Sequence, residues 1–206
     1  MKKISSNIEY IIDQKKLNKS VSGRYVIIKR ICDVFLAALC IILFLPAIVT
    51  AAAALKLNSY RTVFIYDYVY GQKGRIFKLY SFNVKTNSRR QSLNNLNDVG
   101  EIIEKTGVKK LPYLFNILKG ELSFVGPAPL SKTICNIDEH NSWYALRFSV
   151  KPGLICLYTI TSGKCPDIDE MVRADLKYIK ERNLLYDFKI FLAYIRIIAG
   201  NYRKLI

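Results

Sequence analysis

Two adjacent lysines, Lys109 and Lys110, begin the stretch VKKLPYLFNILKGELSFVGPAP, Val108–Pro129, where the chain concentrates its chemistry-bearing residues. Thr106 suits a helix cap, Pro112 an early helical turn and Gly120 a stop. The spacing of Val108, Leu111, Leu114, Phe115 and Leu118 predicts an inward-facing helical stripe, with both lysines near its start. Amides at a helix start attract anions, and two ammonium groups add to that field. An ammonium cannot ligate a divalent cation, and a pKa of about 10.4 leaves almost no free amine to act as a nucleophile at neutral pH. The plainer alternative is a solvated helix face.

One other cluster could handle protons or a metal: Asp138-Glu139-His140. A solvated helix start explains it better, and Asp167, Asp169 and Glu170 invite the same reading. The five cysteines form no CxxC pair and His140 is the single histidine, so no zinc site is expected. Cys32, Cys40 and Cys156 lie in or beside apolar runs and read as small hydrophobes.

With its flanks, the lysine stretch resembles the core of the bacterial sugar transferases, the monotopic phosphoglycosyl transferases. Those enzymes move a sugar 1-phosphate from a UDP-sugar to a polyprenyl phosphate at the start of surface-polysaccharide assembly. Leu111-Pro112, Leu114-Phe115-Asn116, Leu118-Lys119-Gly120 and Ser123-Phe124-Val125-Gly126-Pro127 follow the family pattern. The resemblance spans roughly Lys29–Ala199 and implies an Asp-Glu dyad where this chain carries Lys109 and Lys110. In active relatives that Asp is the nucleophile and the Glu helps to hold Mg²⁺. Carboxylates can do both, and the replacement swings the formal local charge by four units. Other phosphate-handling positions also depart from the pattern. Asn83 and Ala128 replace arginines, Asp67-Tyr68-Val69 stands where Gln-Glu-Arg is usual, and Val-Arg-Pro-Gly-Ile-Thr-Gly becomes Val150-Lys151-Pro152-Gly153-Leu154-Ile155-Cys156. Arginine binds phosphate bidentately, whereas lysine acts as a point charge. Framework residues are kept and phosphate-handling charges are lost, which is the pattern of a pseudoenzyme. No catalytic residue, metal ligand or cofactor is therefore assigned, and no Mg²⁺ binding is expected; what the resemblance leaves as candidates for holding a phosphate-bearing ligand are Lys109, Lys110, Lys151, Ser123 and Gly126.

These residues need elements to hold them. At 206 residues the chain can build one domain with a real core, and a net charge of +16 points to an anionic partner. Hydrophobic content of 51% argues against disorder. Val34–Leu55 carries no charge over 22 residues. As a straight helix at ~1.5 Å per residue it would cover about 33 Å, enough to cross a bilayer core of about 30 Å. Pro46 either kinks a spanning helix or breaks the segment into a hairpin that leaves by the leaflet it entered. Eight Lys or Arg residues precede Ile31, and Lys56, Arg61, Lys73 and Arg75 follow the segment, so both flanks favour the cytoplasm and the hairpin. The resemblance implies the same reentrant helix, approached through Lys29-Arg30-Ile31-Cys32-Asp33. No secretory signal is visible, and a reducing cytosolic setting is expected for the polar part.

Residues 1–23 read as a basic lead and 24–206 as a single domain, with the membrane hairpin at about 30–57. Val63–Tyr70 and Gly74–Phe82 predict a strand pair, and Asn83–Gly100 a loop. Ser131–Ser149 should contain a helix. Lys151-Pro152-Gly153 should turn into an extended run ending near Thr161, and Glu170–Glu181 should be helical. Leu184–Ala199 is amphipathic and suits an interfacial or core-packing helix. The expected fold class is α+β: a membrane-embedded reentrant helix hairpin with a small, mostly helical cytosolic domain, short strands and interfacial helices.

The favoured function is an inactive member of the transferase family on the cytosolic face of the bacterial inner membrane. Its expected partners are membrane lipid (polyprenyl phosphate among the possibilities), an active transferase or another polysaccharide assembly protein. One alternative is an active enzyme with its nucleophile displaced to Asp138 or Glu139. Another is a basic nucleic-acid binder using Tyr66, Tyr68 and Tyr70 as stacking platforms, but no recognition motif supports it and the apolar run would have no purpose there.

Overall fold

The longest uncharged run of the chain dictates its longest element. A computed structural model describes residues 23–58, 62–84, 99–132, 146–161 and 168–202. Helix α1, Gly23–Leu57, is helical throughout its 35 residues with Pro46 inside it. Pro46 has no N–H to give the Ile42 carbonyl, and the Thr50 hydroxyl donates back to Pro46 O at 2.9 Å. This is the one helix among the described residues long and apolar enough to cross a membrane.

The two halves of α1 bury different faces of the same body. Before Pro46, Ala37 is fully buried in the main core with Leu114, Ile117, Leu122 and Val125, flanked by Leu36, Cys40 and Ile41. After Pro46, Ile48, Ala51 and Leu55 pack with Phe82 and Ile103. Between them Ile42, Leu43, Phe44, Leu45 and Pro46 are all exposed.

The expected strand pair is present as β1 (Phe64–Tyr70) and β2 (Ile76–Phe82), antiparallel from Phe64↔Phe82 to Tyr70↔Ile76. A tight turn at Gln72–Gly74 joins them, with Lys73 and Gly74 at positive φ. Tyr66 and Tyr68 lie edge to face on the exposed side, with Lys78 Nζ 4.5 Å from the Tyr66 ring centroid.

Helix α2 (Val99–Lys105) starts inside the expected loop, most of which lies outside the described residues, as does the helix expected within Ser131–Ser149. Helix α3 (Tyr113–Lys119) follows, and then strands β3 (Ser123–Val125), β4 (Leu130–Ser131) and β5 (Gly153–Ile155). Strand β4 extends the first sheet in the order β2-β1-β4, while β3 and β5 form a separate parallel pair. Helices α4 (Leu157–Thr161), α5 (Ile168–Glu181) and α6 (Leu184–Tyr202) complete the described residues.

Two expectations need correction. The extended run after Gly153 stops at Ile155 and turns into α4, because its partner strand ends at Val125. The helix expected around the lysines does not begin at Thr106. Gly107 adopts φ 76°, which breaks the chain there, and the Thr106 hydroxyl donates back to Ile102 O, closing α2. Lys109 and Lys110 occupy a separate 3-10 turn, Val108–Lys110, and α3 starts only after Pro112. Gly120 does end α3, at φ 87°, its N–H donating to Asn116 O and Ile117 O. Helix α6 buries Ile190 and Asp187 while Leu185, Phe188, Ile195 and Ile198 stay exposed, so it combines core packing with a bare apolar face.

Candidate functional site

The matched framework residues are those that tie the elements together. Asn116, fully buried, accepts from Tyr80 N and donates to Lys78 O and Glu121 Oε2, stitching α3 to β2. Asp33 is buried in α1 and accepts from Ser123 Oγ at 2.7 Å and Phe124 N at 3.3 Å, fastening α1 to β3. Arg30 donates to Ile117 O and Leu118 O at 2.6 and 2.8 Å, satisfying carbonyls at the end of α3. Gly126 is buried where β3 meets β5, and a Cβ there would stand 2.7 Å from Lys151 O.

The sequence candidates fall into two groups. Lys109 and Lys110 lie on the turn before α3, where Lys109 Nζ bonds Glu104 Oε1 at 2.7 Å and Lys110 is exposed. Neither lysine side chain offers a divalent cation an oxygen ligand. Among the described residues no group of three His, Cys, Asp or Glu could hold a metal ion. Asp138-Glu139-His140 and Asp167 lie outside the described residues.

Lys151 and Ser123 lie elsewhere, on a cavity of about 560 Å³ near the opposite end of α3. Its cationic wall is Lys29, Arg30, Lys151 and Arg182, with Asp33 and Tyr178 beside them. Lys29 is paired with Asp187 at 2.8 Å, and Asp187 also accepts from Tyr25 and Tyr178 hydroxyls, each at 2.8 Å. Burial, then the neighbouring Arg30, pushes the Lys151 ammonium below the usual lysine range, while Asp33 opposes the shift. Burial and the Asp187 charge keep the Tyr178 hydroxyl protonated as a donor. Gly126 and Pro46 do not line this cavity. Sequence reasoning missed Arg182 and Asp187. The signal was available in Asp187, a lone acid interrupting the apolar stripe of α6.

A second buried charge sits behind Ala128. Arg147 pairs with Asp175, donates to Ala128 O at 3.1 Å and leaves Nε and Nη1 without partners among the described residues. Burial lifts the Asp175 carboxyl to about 6, with Arg147 pulling the other way. The folded value exceeds an unfolded value of about 3.9, so folding favours the protonated form. That contribution is fully present below roughly pH 4 and is lost as pH rises through about 6, a loss of at most about 3 kcal/mol. Thermal unfolding in detergent should show this decline between pH 4.5 and 7, and Asp175→Asn should flatten it.

Residues 24–201 match the family described as bacterial sugar transferase. A UDP-N-acetylgalactosamine-undecaprenyl-phosphate N-acetylgalactosaminephosphotransferase of Aeromonas hydrophila is 31% identical over 190 residues, covering 86% of this chain and 45% of the relative. A UDP-glucose:undecaprenyl-phosphate glucose-1-phosphate transferase of Escherichia coli (strain K12) is 31% identical over 200 residues, covering 89% and 42%. The uncharacterized sugar transferase EpsL of Bacillus subtilis (strain 168) is 29% identical over 176 residues, covering 82% and 86%. The chain thus spans less than half of the first two relatives and most of the third. With the profile matched from the first turn of α1 to the last turn of α6, this chain belongs to the bacterial sugar transferase family.

Proposed function

We propose that this chain is a catalytically silent, membrane-anchored member of its family, acting in surface-polysaccharide assembly by binding a partner transferase or a phosphate-bearing ligand. The carrying observation is the charge of the turn before α3. Lys109 and Lys110 stand where the family pattern has its Asp-Glu dyad, and Lys109 is engaged by Glu104. Two named relatives use undecaprenyl phosphate, which motivates a lipid partner.

Placement on one membrane face is supported by α1. Residues on both sides of Pro46 pack against the same polar body, so neither half is free to reach the opposite side. The exposed Ile42–Pro46 stretch of this continuous helix then enters one leaflet, with the bare face of α6 lying along the interface. The reading we propose is therefore a reentrant placement, with both ends of α1 at the cytosolic face of the bacterial inner membrane.

The test is turnover. Purified protein with Mg²⁺, polyprenyl phosphate and a panel of UDP-sugars should release no UMP above a protein-free control. Lys109→Asp with Lys110→Glu should not restore release, because Asn83 and Ala128 also lack the guanidinium groups of the pattern. Release by the unaltered chain that depends on polyprenyl phosphate contradicts the reading.

A further inference from the structure

The cavity beside α1 carries charge that the fold itself does not use. Two of its four cations have work elsewhere: Lys29 is held by Asp187, and both terminal nitrogens of Arg30 bond carbonyls of α3. The other two are freer. Lys151 has no side-chain hydrogen bond or ion pair among the described residues, and Arg182, though it faces the Asp187 charge, keeps Nη1 buried without a hydrogen-bond partner. Four cations face the two carboxylates of Asp33 and Asp187, so the wall keeps about two positive charges in excess, and a buried guanidinium nitrogen left unpaired is costly. Such a wall fits an anion. Val26, Ile27 and Ile31, which also line the cavity, are 57%, 64% and 63% exposed, so one side of it is apolar and unpacked. Ile31 lies within one turn of the uncharged segment beginning at Val34, and Val26 and Ile27 about two turns from it.

We propose that this cavity is a resident-lipid site: it holds the phosphate of an acidic glycerophospholipid of the surrounding bilayer on Lys151 and Arg182, with the lipid's chains against Val26, Ile27 and Ile31. A cationic floor with an apolar rim at the membrane boundary favours a lipid phosphate over a soluble one, since chain burial adds to the charge attraction. The site is separate from the Lys109-Lys110 turn and does not depend on that turn's being silent. It does rest on the membrane placement argued above.

The experiment uses the full chain in nanodiscs of phosphatidylcholine alone or with phosphatidylglycerol, and reads the reaction of each lysine with acetic anhydride by mass spectrometry. Phosphatidylglycerol should protect Lys151 strongly and leave Lys109 unchanged. Native mass spectrometry after gentle extraction should find phosphatidylglycerol retained, with Lys151→Gln and Arg182→Gln each lowering retention about fivefold, at about 1 kcal/mol per cation. Equal Lys151 labelling in both bilayers overturns the proposal, as does equal protection of Lys109, which would mean surface attraction only. Equal protection by glycerol 3-phosphate in phosphatidylcholine discs overturns the lipid source. Because the labelling arm uses the unaltered chain, a variant that fails to fold does not decide the outcome. Failure of the protein to enter either bilayer overturns the membrane placement itself, a result distinct from equal labelling.

Discussion

Asp187→Ala should cost about 3–5 kcal/mol of folding stability, the range for stripping the partner from a buried charge. Three donors converge on this carboxylate: Lys29 Nζ and Tyr25 Oη on Oδ2, and Tyr178 Oη on Oδ1. Lys29 is only 18% exposed, so the alanine variant leaves an ammonium largely desolvated and unpaired. Tyr178, 2% exposed, would be left with its 3.1 Å bond to Val125 O and its hydroxyl contact with Tyr25. The contacts tie the first turns of α1 to α5 and α6 across more than 150 residues of sequence. Lys29→Met combined with Asp187→Leu should recover much of the loss, because removing both charges is milder than orphaning one. Denaturant or thermal unfolding in detergent measures both. A loss below about 1 kcal/mol for Asp187→Ala would put the pair in the range of solvent-screened surface bridges.

Gly153→Ala should be comparably severe for a steric reason. Parallel pairing of Ser123↔Gly153 and Val125↔Ile155 brings the two backbones together at Gly126. A Cβ on Gly153 would overlap the Gly126 amide nitrogen and stand 2.6 Å from its Cα. Backbone cannot swing aside as a flexible side chain can, so the cost should reach or exceed the top of the roughly 1–3 kcal/mol typical of overpacking. Gly107→Ala is the control. Its φ of 76° is strained for alanine, yet nothing stands within 4 Å of the added carbon. Its cost should stay near 1–2 kcal/mol. Equal losses for the two variants would mean that φ strain, and not the close backbone approach, sets the penalty at Gly153.

Much of this arrangement was readable in the chain, and what was not has identifiable causes. The strand pair was legible because Gly71 and Gly74 bracket it with turn chemistry, and the α3 stop because Gly120 supplies the left-handed residue a helix end needs. Composition alone marked the apolar helix. The lysine turn was misplaced because Thr106 is a good cap by type, whereas Gly107 set the local backbone. Strand β5 was drawn too long since strand length depends on a partner distant in sequence, and Val125 ends that partner. Of the candidate residues, Lys151 and Ser123 meet on one cavity while Lys109 and Lys110 do not, a division that spacing along the chain cannot reveal. Arg182 escaped notice because only the folded chain brings it beside Lys29 and Arg30.

The central claim is that lysines at the turn before α3 remove the oxygen nucleophile and metal grip on which a phosphosugar intermediate depends. Intact-mass and peptide mass spectrometry of the reconstituted chain, after incubation with Mg²⁺ and UDP-sugars, tests it most directly. The account predicts unmodified protein throughout. A sugar-phosphate adduct on any aspartate or glutamate of this chain would contradict it.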